Sequence, residues 1–289
     1  MDTGPVVVGV GDLSGQEGVV LYAAREAVMR SAPLRIAHAV TLPSSYGRSH
    51  AKETGRGVMN RRAVLVERLV ETVRSAFPSL VVASGLTFDD PVRLLAKQSA
   101  EAVLVVLGRG GRGFPRLPLG SVSLRVAGQA RCPVLVWRPG GAGGVQDDRV
   151  VVGIDRVHYS PEVLEFAFAE ADRRSAHLLI AHALHRPTPS PLPHTGTAAR
   201  RRIREVEEAA RSFLDERIGE VGGRYPGVTV GLRLGWGRPA RCLVESSEDA
   251  ALLVMGSRRR SGRRRLLLGS VSAEVLHMAD GPVAVVPTR

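Results

Sequence analysis

The stretch Val6-Val7-Val8-Gly9-Val10 is a short run of β-branched residues, and it recurs as Val150-Val151-Val152-Gly153-Ile154. A run of this kind, without alternating polar residues, is typical of a strand that is buried on both faces of a parallel sheet. Since the two copies begin at positions 6 and 150, an offset of 144 residues separates them. The repeat predicts that the chain contains one fold twice.

Further matches keep the same order along the chain. Ala37-His38-Ala39 returns as Ala181-His182-Ala183, and the pentapeptide LGSVS occurs at Leu119–Ser123 and again at Leu268–Ser272. Collinear matches of this extent predict two homologous domains joined by a flexible, Gly-rich linker. The predicted boundaries are 1–139 for the first domain, 140–148 for the linker and 149–289 for the second domain.

Apolar runs and amphipathic stretches alternate within each copy. In the first copy the predicted strands cover 6–10, 34–40, 80–84, 102–107 and 134–137, and the predicted helices cover 19–30, 61–77, 92–99 and 121–128. Alternating strands and helices predict an α/β fold, in which a parallel sheet has helices on both faces.

Local signals give finer expectations. Ser14 and Glu17 have the spacing of a capping box, and Ser160 followed by Pro161 is typical of a helix start. Asp89-Asp90 precede a predicted helix and are interpreted as an anion pair at its N-terminus. His38 and His182 are equivalent and are interpreted as packed residues at strand ends.

Composition limits the classes of function. The chain has 289 residues, of which 44% are hydrophobic, and no apolar run approaches the length of about 20 residues that a membrane span needs. The start of the chain lacks a signal-peptide pattern, and Cys132 and Cys242 lack a disulfide or zinc spacing. These features predict a cytoplasmic protein with two small buried thiols and no metal site.

The net charge of +12 suggests an anionic partner, although nearly all of the positive charge is arginine in a chain that is also rich in Ala, Gly and Val. This skew is typical of coding bias. The runs Arg200–Arg202 and Arg263–Arg265 are interpreted as solvated faces. With 4% aromatic residues, a stacking platform for single-stranded nucleic acid is poorly supported, so nucleic acid is not expected to be a partner.

Ligands of open α/β sheets bind beyond the carboxyl ends of the strands. Two loops of each copy follow such ends, one after the first strand and one after the fourth. The loop after the fourth strand is rich in Gly and Arg and leads into LGSVS, where a helix should begin. Three features of this segment favour phosphate binding: the helix N-terminus, backbone N–H groups that glycine leaves accessible, and guanidinium groups. The alternative is that Ser121 and Ser270 are only N-caps, worth about 1 kcal/mol each.

Four features of the sequence carry a resemblance to a known family: the quoted strands, the strand ending in His-Ala, the GRGG…LGSVS segment and the terminal CPVLVW. They resemble a universal stress protein domain, and the resemblance covers nearly all of both copies. The resemblance implies two Rossmann-like domains, each with a five-stranded parallel sheet in the order 3-2-1-4-5. It implies that some members bind ATP through G-x-x-G-x(9)-G-[ST] and an Asp after the first strand. It also implies pairing through the last strands, 134–137 and 283–286, and a possible homodimer.

The family pattern transfers imperfectly to both copies. In the first copy the spacer before Gly120 is one residue short, and Gly11 stands at the Asp position with Asp12 displaced by one. In the second copy Asp155 is in place, but Arg259 stands where the second Gly belongs. The expected ATP ligands, with the second copy as the better site, are Asp155, Gly256, Arg258, Arg259, Gly269, Ser270 and Val271, together with Asp12, Gly108, Gly111, Gly120 and Ser121.

These observations predict a stress-response regulatory protein that binds ATP, with or without Mg²⁺. No set of catalytic residues recurs in both copies, so at most slow ATP hydrolysis is expected. Two alternatives stay open at this point. The sites could be vestigial in a protein that works through contacts with protein partners alone, or the basic surface could bind nucleic acid. The sequence identifies no protein partner.

Overall fold

The computed structural model describes residues 4–11, 15–41, 50–108, 120–138, 147–184, 196–257 and 268–288. The chain divides into two compact units. The N-terminal unit contains the first five strands and the C-terminal unit contains the last five.

The N-terminal unit alternates strands and helices throughout. Its elements are β1 (Val6–Val10), α1 (Glu17–Met29), β2 (Leu34–Val40), α2 (His50–Ala76), β3 (Val82–Phe88), α3 (Pro91–Gln98), β4 (Leu104–Gly108), α4 (Ser121–Gln129) and β5 (Val134–Trp137). The strands are parallel, with the spatial order β3-β2-β1-β4-β5.

The C-terminal unit repeats this arrangement. Its elements are β6 (Asp147–Gly153), α5 (Pro161–Arg174), β7 (His177–Leu184), α6 (Gly196–Gly222), β8 (Val230–Trp236), α7 (Pro239–Ser246), β9 (Ala250–Ser257), α8 (Ser270–Met278) and β10 (Val283–Pro287). Its spatial order is β8-β7-β6-β9-β10. The predicted order 3-2-1-4-5 is therefore confirmed in both units. The domain boundaries and the pairing of the last strands stay predictions.

Helices cover both faces of each sheet, and the central strands form the core. In the N-terminal unit α1 packs against α2, while α3 packs against α4. Val6, Val7 and Val8 of β1 are fully buried, as expected for a strand covered on both sides.

One glycine in each central strand lets a helix approach closely. A Cβ atom on Gly9 would lie 2.9 Å from Cδ1 of Leu95 in α3, and one on Gly153 would lie 2.8 Å from Cδ2 of Leu243 in α7. Real carbon contacts are longer, with an optimum of about 3.5–4.0 Å. The glycines therefore allow this close packing, and a side chain at either position would force the facing leucine to shift.

A second repeated feature is a carboxylate buried on the first helix of each unit. Glu26 is 1% exposed and pairs with Arg30, and Glu170 is 0% exposed and pairs with Arg173 and Arg174. A buried carboxylate is stable only when it is paired and hydrogen-bonded. These pairs hold the last turns of α1 and α5.

Element ends differ from the sequence predictions mainly where tertiary contacts decide them. β3 was expected over 80–84 but covers Val82–Phe88, because it pairs with β2 along its whole length, up to Val40 with Phe88. α2 was expected from residue 61 but begins at His50. Its first turns lack an apolar period. Among the residues of the helix for which burial is described, Val66 is the first buried one.

The predicted capping box is wrong. Gln16 is the N-cap of α1 without a side-chain hydrogen bond, so Glu17 is the first helical residue and is too early to close a box. Ser160 and Pro161 do occupy the N-cap and first positions of α5, although the Ser160 hydroxyl donates to Glu162 and caps no backbone N–H.

The Asp89-Asp90 interpretation is confirmed. Asp90 caps α3 by accepting from the Arg93 N–H at 3.0 Å. Asp89 accepts from Nε of Arg93 at 2.6 Å, and this hydrogen bond holds the pKa of Asp89 below its ordinary value.

Candidate functional site

The carboxyl ends of the two central strands lie side by side in each unit. β1 pairs with β4 so that Gly9 is opposite Leu107, and β6 pairs with β9 so that Val152 is opposite Val254. The loops that follow these strands therefore leave the sheet at one edge, where ligands of α/β sheets bind.

The repeated LGSVS segment fastens a helix to this edge through its second serine. Oγ of Ser123 donates to the carbonyl oxygen of Gly108 at 3.1 Å, and Oγ of Ser272 donates to that of Gly256 at 3.0 Å. Both serines are nearly buried, at 4% and 5% exposure. The start of α4 and the start of α8 are thereby held against the end of the fourth strand of their units.

The first serine of LGSVS has a different place. Ser121 is the first residue of α4, behind Gly120 as the N-cap, and Ser270 is the first residue of α8. The N-cap interpretation of Ser121 is therefore wrong, because its backbone is already helical. Both serines are exposed, and neither helix has an acidic residue in its first turn. Each helix start therefore offers N–H groups and partial positive charge at the edge.

Asp155 follows β6 and begins a hydrogen-bonded turn. Its Oδ1 accepts from the N–H of Val157 at 3.0 Å, and its Oδ2 lies 3.2 Å from Nδ1 of His158. The Asp155 side chain is 43% exposed. The turn thus orients the carboxylate, which is partly exposed at the edge of the sheet.

An aromatic and guanidinium cluster supports this turn in the C-terminal unit. Tyr159 meets Phe213 of α6 edge to face, with ring centroids 5.8 Å apart. Cζ of Arg217 lies 5.5 Å from the Tyr159 centroid and 5.3 Å from the Phe213 centroid, and Cζ of Arg156 lies 5.6 Å from the latter. Cation–π contacts at this range are attractive. Burial raises the pKa of the Tyr159 phenol.

In the described part of the N-terminal unit, the positions equivalent to Asp155, Tyr159 and Phe213 hold other residues. Gly11 occupies the position of Asp155, is exposed, and has no atom within 4 Å of a Cβ built on it. Gly15 corresponds to Tyr159, and Leu65 corresponds to Phe213. Steric hindrance therefore does not explain the missing carboxylate.

The two equivalent histidines are structural. His38 and His182 are 5% and 8% exposed, and their Nδ1 atoms lie 2.8 and 2.7 Å from the carbonyl oxygens of Val10 and Ile154. Because a carbonyl can only accept, Nδ1 carries the proton. The interpretation as packed residues is confirmed, although both strands continue for two residues beyond the histidine.

Several predicted ligands lie outside the described residues, namely Asp12, Gly111, Arg258 and Arg259. The predicted ligands at the edge of the C-terminal unit are Asp155, Gly256, Ser270 and Val271, and those at the edge of the N-terminal unit are Gly108, Gly120 and Ser121. Gly269, which precedes α8, is grouped with the N-terminal unit. Among the described residues, no three His, Cys, Asp or Glu side chains are grouped as metal ligands would be.

Sequence reasoning missed Ser123, Ser272 and the cluster around Tyr159. The repetition of both serines of LGSVS was a signal for the first two. No local pattern signals the cluster, because Tyr159 and Phe213 are far apart in the chain.

This protein is of the α/β class and consists of two units in tandem. In each unit the carboxyl ends of the central strands form an edge of the kind at which ligands bind. The sequence model of the Universal stress protein family matches residues 3–138 and 148–287, so the chain belongs to that family. Universal stress protein Rv2005c of Mycobacterium tuberculosis is 36% identical, over 97% of this chain and 96% of its own length.

A solved structure supports the fold. A universal stress protein from Archaeoglobus fulgidus matches 98% of this chain and 96% of its own chain, with 21% identity and a TM-score of 0.66. A universal stress protein solved in complex with cAMP matches 49% of this chain, with 26% identity and a TM-score of 0.37. Among the described helices of this chain, none has the length and hydropathy that a membrane span requires.

Proposed function

We propose that the C-terminal unit binds an adenine nucleotide, ATP in the first instance, and that the protein is a regulatory binding protein. The observation that carries this proposal is the placement of a fixed, half-exposed Asp155 carboxylate at the same sheet edge as the start of α8. A carboxylate can accept from the exocyclic amine of adenine, and a helix start attracts phosphate. The two groups match the two ends of a nucleotide.

The Gly256–Ser272 hydrogen bond supports the phosphate half of the site. It ties the first turn of α8 to the end of β9, so the N–H groups of that turn are pre-oriented before a ligand arrives. Pre-orientation saves the free energy of ordering on binding. Arg258 and Arg259 would add charge-assisted contacts.

The N-terminal unit has the weaker site in this proposal. It keeps the Gly108–Ser123 hydrogen bond but has Gly11 where the base contact belongs. We expect it to bind nucleotide much more weakly than the C-terminal unit.

Binding without rapid turnover is expected. His38 and His182 are nearly buried, so both are poorly placed to act as a general base on a ligand at the exposed edge. Mg²⁺ is usually bound by substrate phosphates with few protein ligands, so it would enter with ATP. Occupancy would change how the protein contacts its partners.

Isothermal titration with ATP–Mg²⁺ tests the proposal. Asp155→Ala should weaken binding about 10- to 100-fold, because a hydrogen bond to a charged group contributes about 1.5–3 kcal/mol. Asp148→Ala is the matched control, since Asp148 is an exposed carboxylate at the other end of β6. The absence of binding heat for the wild type and for Arg259→Gly would instead indicate a vestigial site.

A further inference from the structure

The start of α6 projects beyond the C-terminal unit. The helix has 27 residues, or about 40 Å, whereas the eight-residue strand β7 before it spans about 26 Å. The difference of about 14 Å corresponds to some nine residues. Burial agrees, because residues 200–205 are all exposed and Ala210 is the first buried residue of α6 for which burial is described.

This projecting segment, residues 196–205, concentrates positive charge. It contains Arg200, Arg201, Arg202 and Arg204 against a single carboxylate, Glu205. Arg201 pairs with Glu205 at 2.8 Å, and both side chains are largely exposed. The acidic residues of the rest of the helix follow at 207, 208, 215, 216 and 220. Positive charge is therefore concentrated at the start of α6, and the rest of the helix is more acidic.

The equivalent helix of the N-terminal unit provides an internal comparison. The first ten residues of α2, 50–59, hold Lys52, Arg56 and Glu53, so their formal charge is +1, against +3 for the first ten residues of α6. Coding bias toward arginine acts on both copies in one chain. Counted from the first helical residue, the start of α6 therefore carries more positive charge than the start of α2, although the same bias acts on both.

We propose that residues 196–205 of α6 form a docking site for the phosphate backbone of double-stranded DNA. At about 100° per residue, the four arginines spread over about 200° of the helix circumference. A helix with cations on both sides fits a groove with phosphates on both walls. The major groove of B-form DNA is about 12 Å wide and admits an α-helix, whereas that of an RNA duplex is too narrow.

An anionic membrane fits the segment less well. Helices that lie on membranes bury a face of large apolar side chains. Within 200–205, Ile203 is the one large apolar side chain, and it is 40% exposed. A duplex needs no aromatic stacking, so the low aromatic content does not weigh against it.

Binding of the full chain to a labelled DNA duplex of about 20 base pairs tests the proposal, by fluorescence anisotropy across salt concentrations. The test variant replaces Arg200, Arg202 and Arg204 together with Gln. If each contacts one phosphate, the slope of log affinity against log salt should fall by about 2.7. The matched control makes the same replacements at Arg61, Arg68 and Arg74, three exposed residues of α2, and should keep the wild-type slope.

A triple Arg→Lys variant at the test positions separates charge from folding, because it should retain most of the binding. The proposal is overturned by three results: no duplex binding by the wild type, equal losses in the test and control variants, or preference for anionic vesicles or RNA. Since the site does not include Asp155, the Asp155→Ala variant should bind DNA like the wild type whether or not the unit binds ATP.

Discussion

The two serines of the second LGSVS copy should differ in how much stability is lost when each is replaced by alanine. Ser272 is 5% exposed and donates to the carbonyl oxygen of Gly256, whereas Ser270 is exposed at the first helical position. Ser272→Ala removes a buried donor and leaves a carbonyl without this partner. Such a change costs about 1–2 kcal/mol, while Ser270→Ala should stay within about 0.5 kcal/mol.

Thermal unfolding of the C-terminal unit measures the difference. The chain has two tryptophans, so Trp137→Phe leaves Trp236 of β8 as the single reporter of this unit. For a unit of this size, the Ser272→Ala midpoint should fall by about 3–6 °C. A Ser270→Ala midpoint that falls as far as the Ser272→Ala midpoint would refute the assignment of the helix-fastening role to the second serine.

Three further changes probe the C-terminal unit by thermal unfolding. Ser175 has φ +52° at the end of α5, so Ser175→Gly should stabilise by about 0.5–1 kcal/mol. Gly153→Ala should cost about 1–3 kcal/mol, because its Cβ would press on Leu243. Burial raises the pKa of Tyr159 in the folded unit. The neutral phenol therefore contributes stability below the unfolded-state pKa of about 10, and this contribution is lost as the pH rises through the higher folded-state pKa. Tyr159→Phe should therefore reduce the loss of stability above that pH.

Each of these changes has a contradicting result. A lower melting temperature for Ser175→Gly would contradict the relief of backbone strain. Gly231→Ala is the control for Gly153→Ala, since Gly231 lies in β8 of the same unit and its Cβ would meet only an ordinary contact at 3.5 Å, and equal losses would refute the packing argument. If the stability of Tyr159→Phe falls with rising pH as steeply as that of the wild type, the phenol does not titrate with unfolding.

Much of the fold could be predicted because the β-branched runs of the central strands indicate buried strands by their composition alone. β1, β2 and β5 begin and end where the sequence predicts. The end of β3 could not be predicted, because its pairing with β2 rather than its composition extends it to Phe88. The start of α2 was missed for the opposite reason, since residues 50–57 have no apolar period that would signal a helix.

The candidate site could be predicted at the level of its edge and loops, but not of its hydrogen bonds. Asp155 was identified through the family resemblance, whereas its orientation depends on His158 and on the backbone of Val157. The cluster of Tyr159 and Phe213 joins a turn to a helix far along the chain. Contacts between distant residues leave no periodic trace in the sequence.

The number of ATP molecules bound per chain tests the central claim most directly. With free ATP–Mg²⁺ at about ten times the wild-type Kd, equilibrium dialysis of the full chain should give about 0.9 molecule per wild-type chain and at most about half a molecule for Asp155→Ala. Because a Cβ at Gly11 meets open space, Gly11→Asp should raise the number toward two. A wild-type value of zero, or a value that Asp155→Ala leaves unchanged, would contradict the assignment of the nucleotide site to the C-terminal unit.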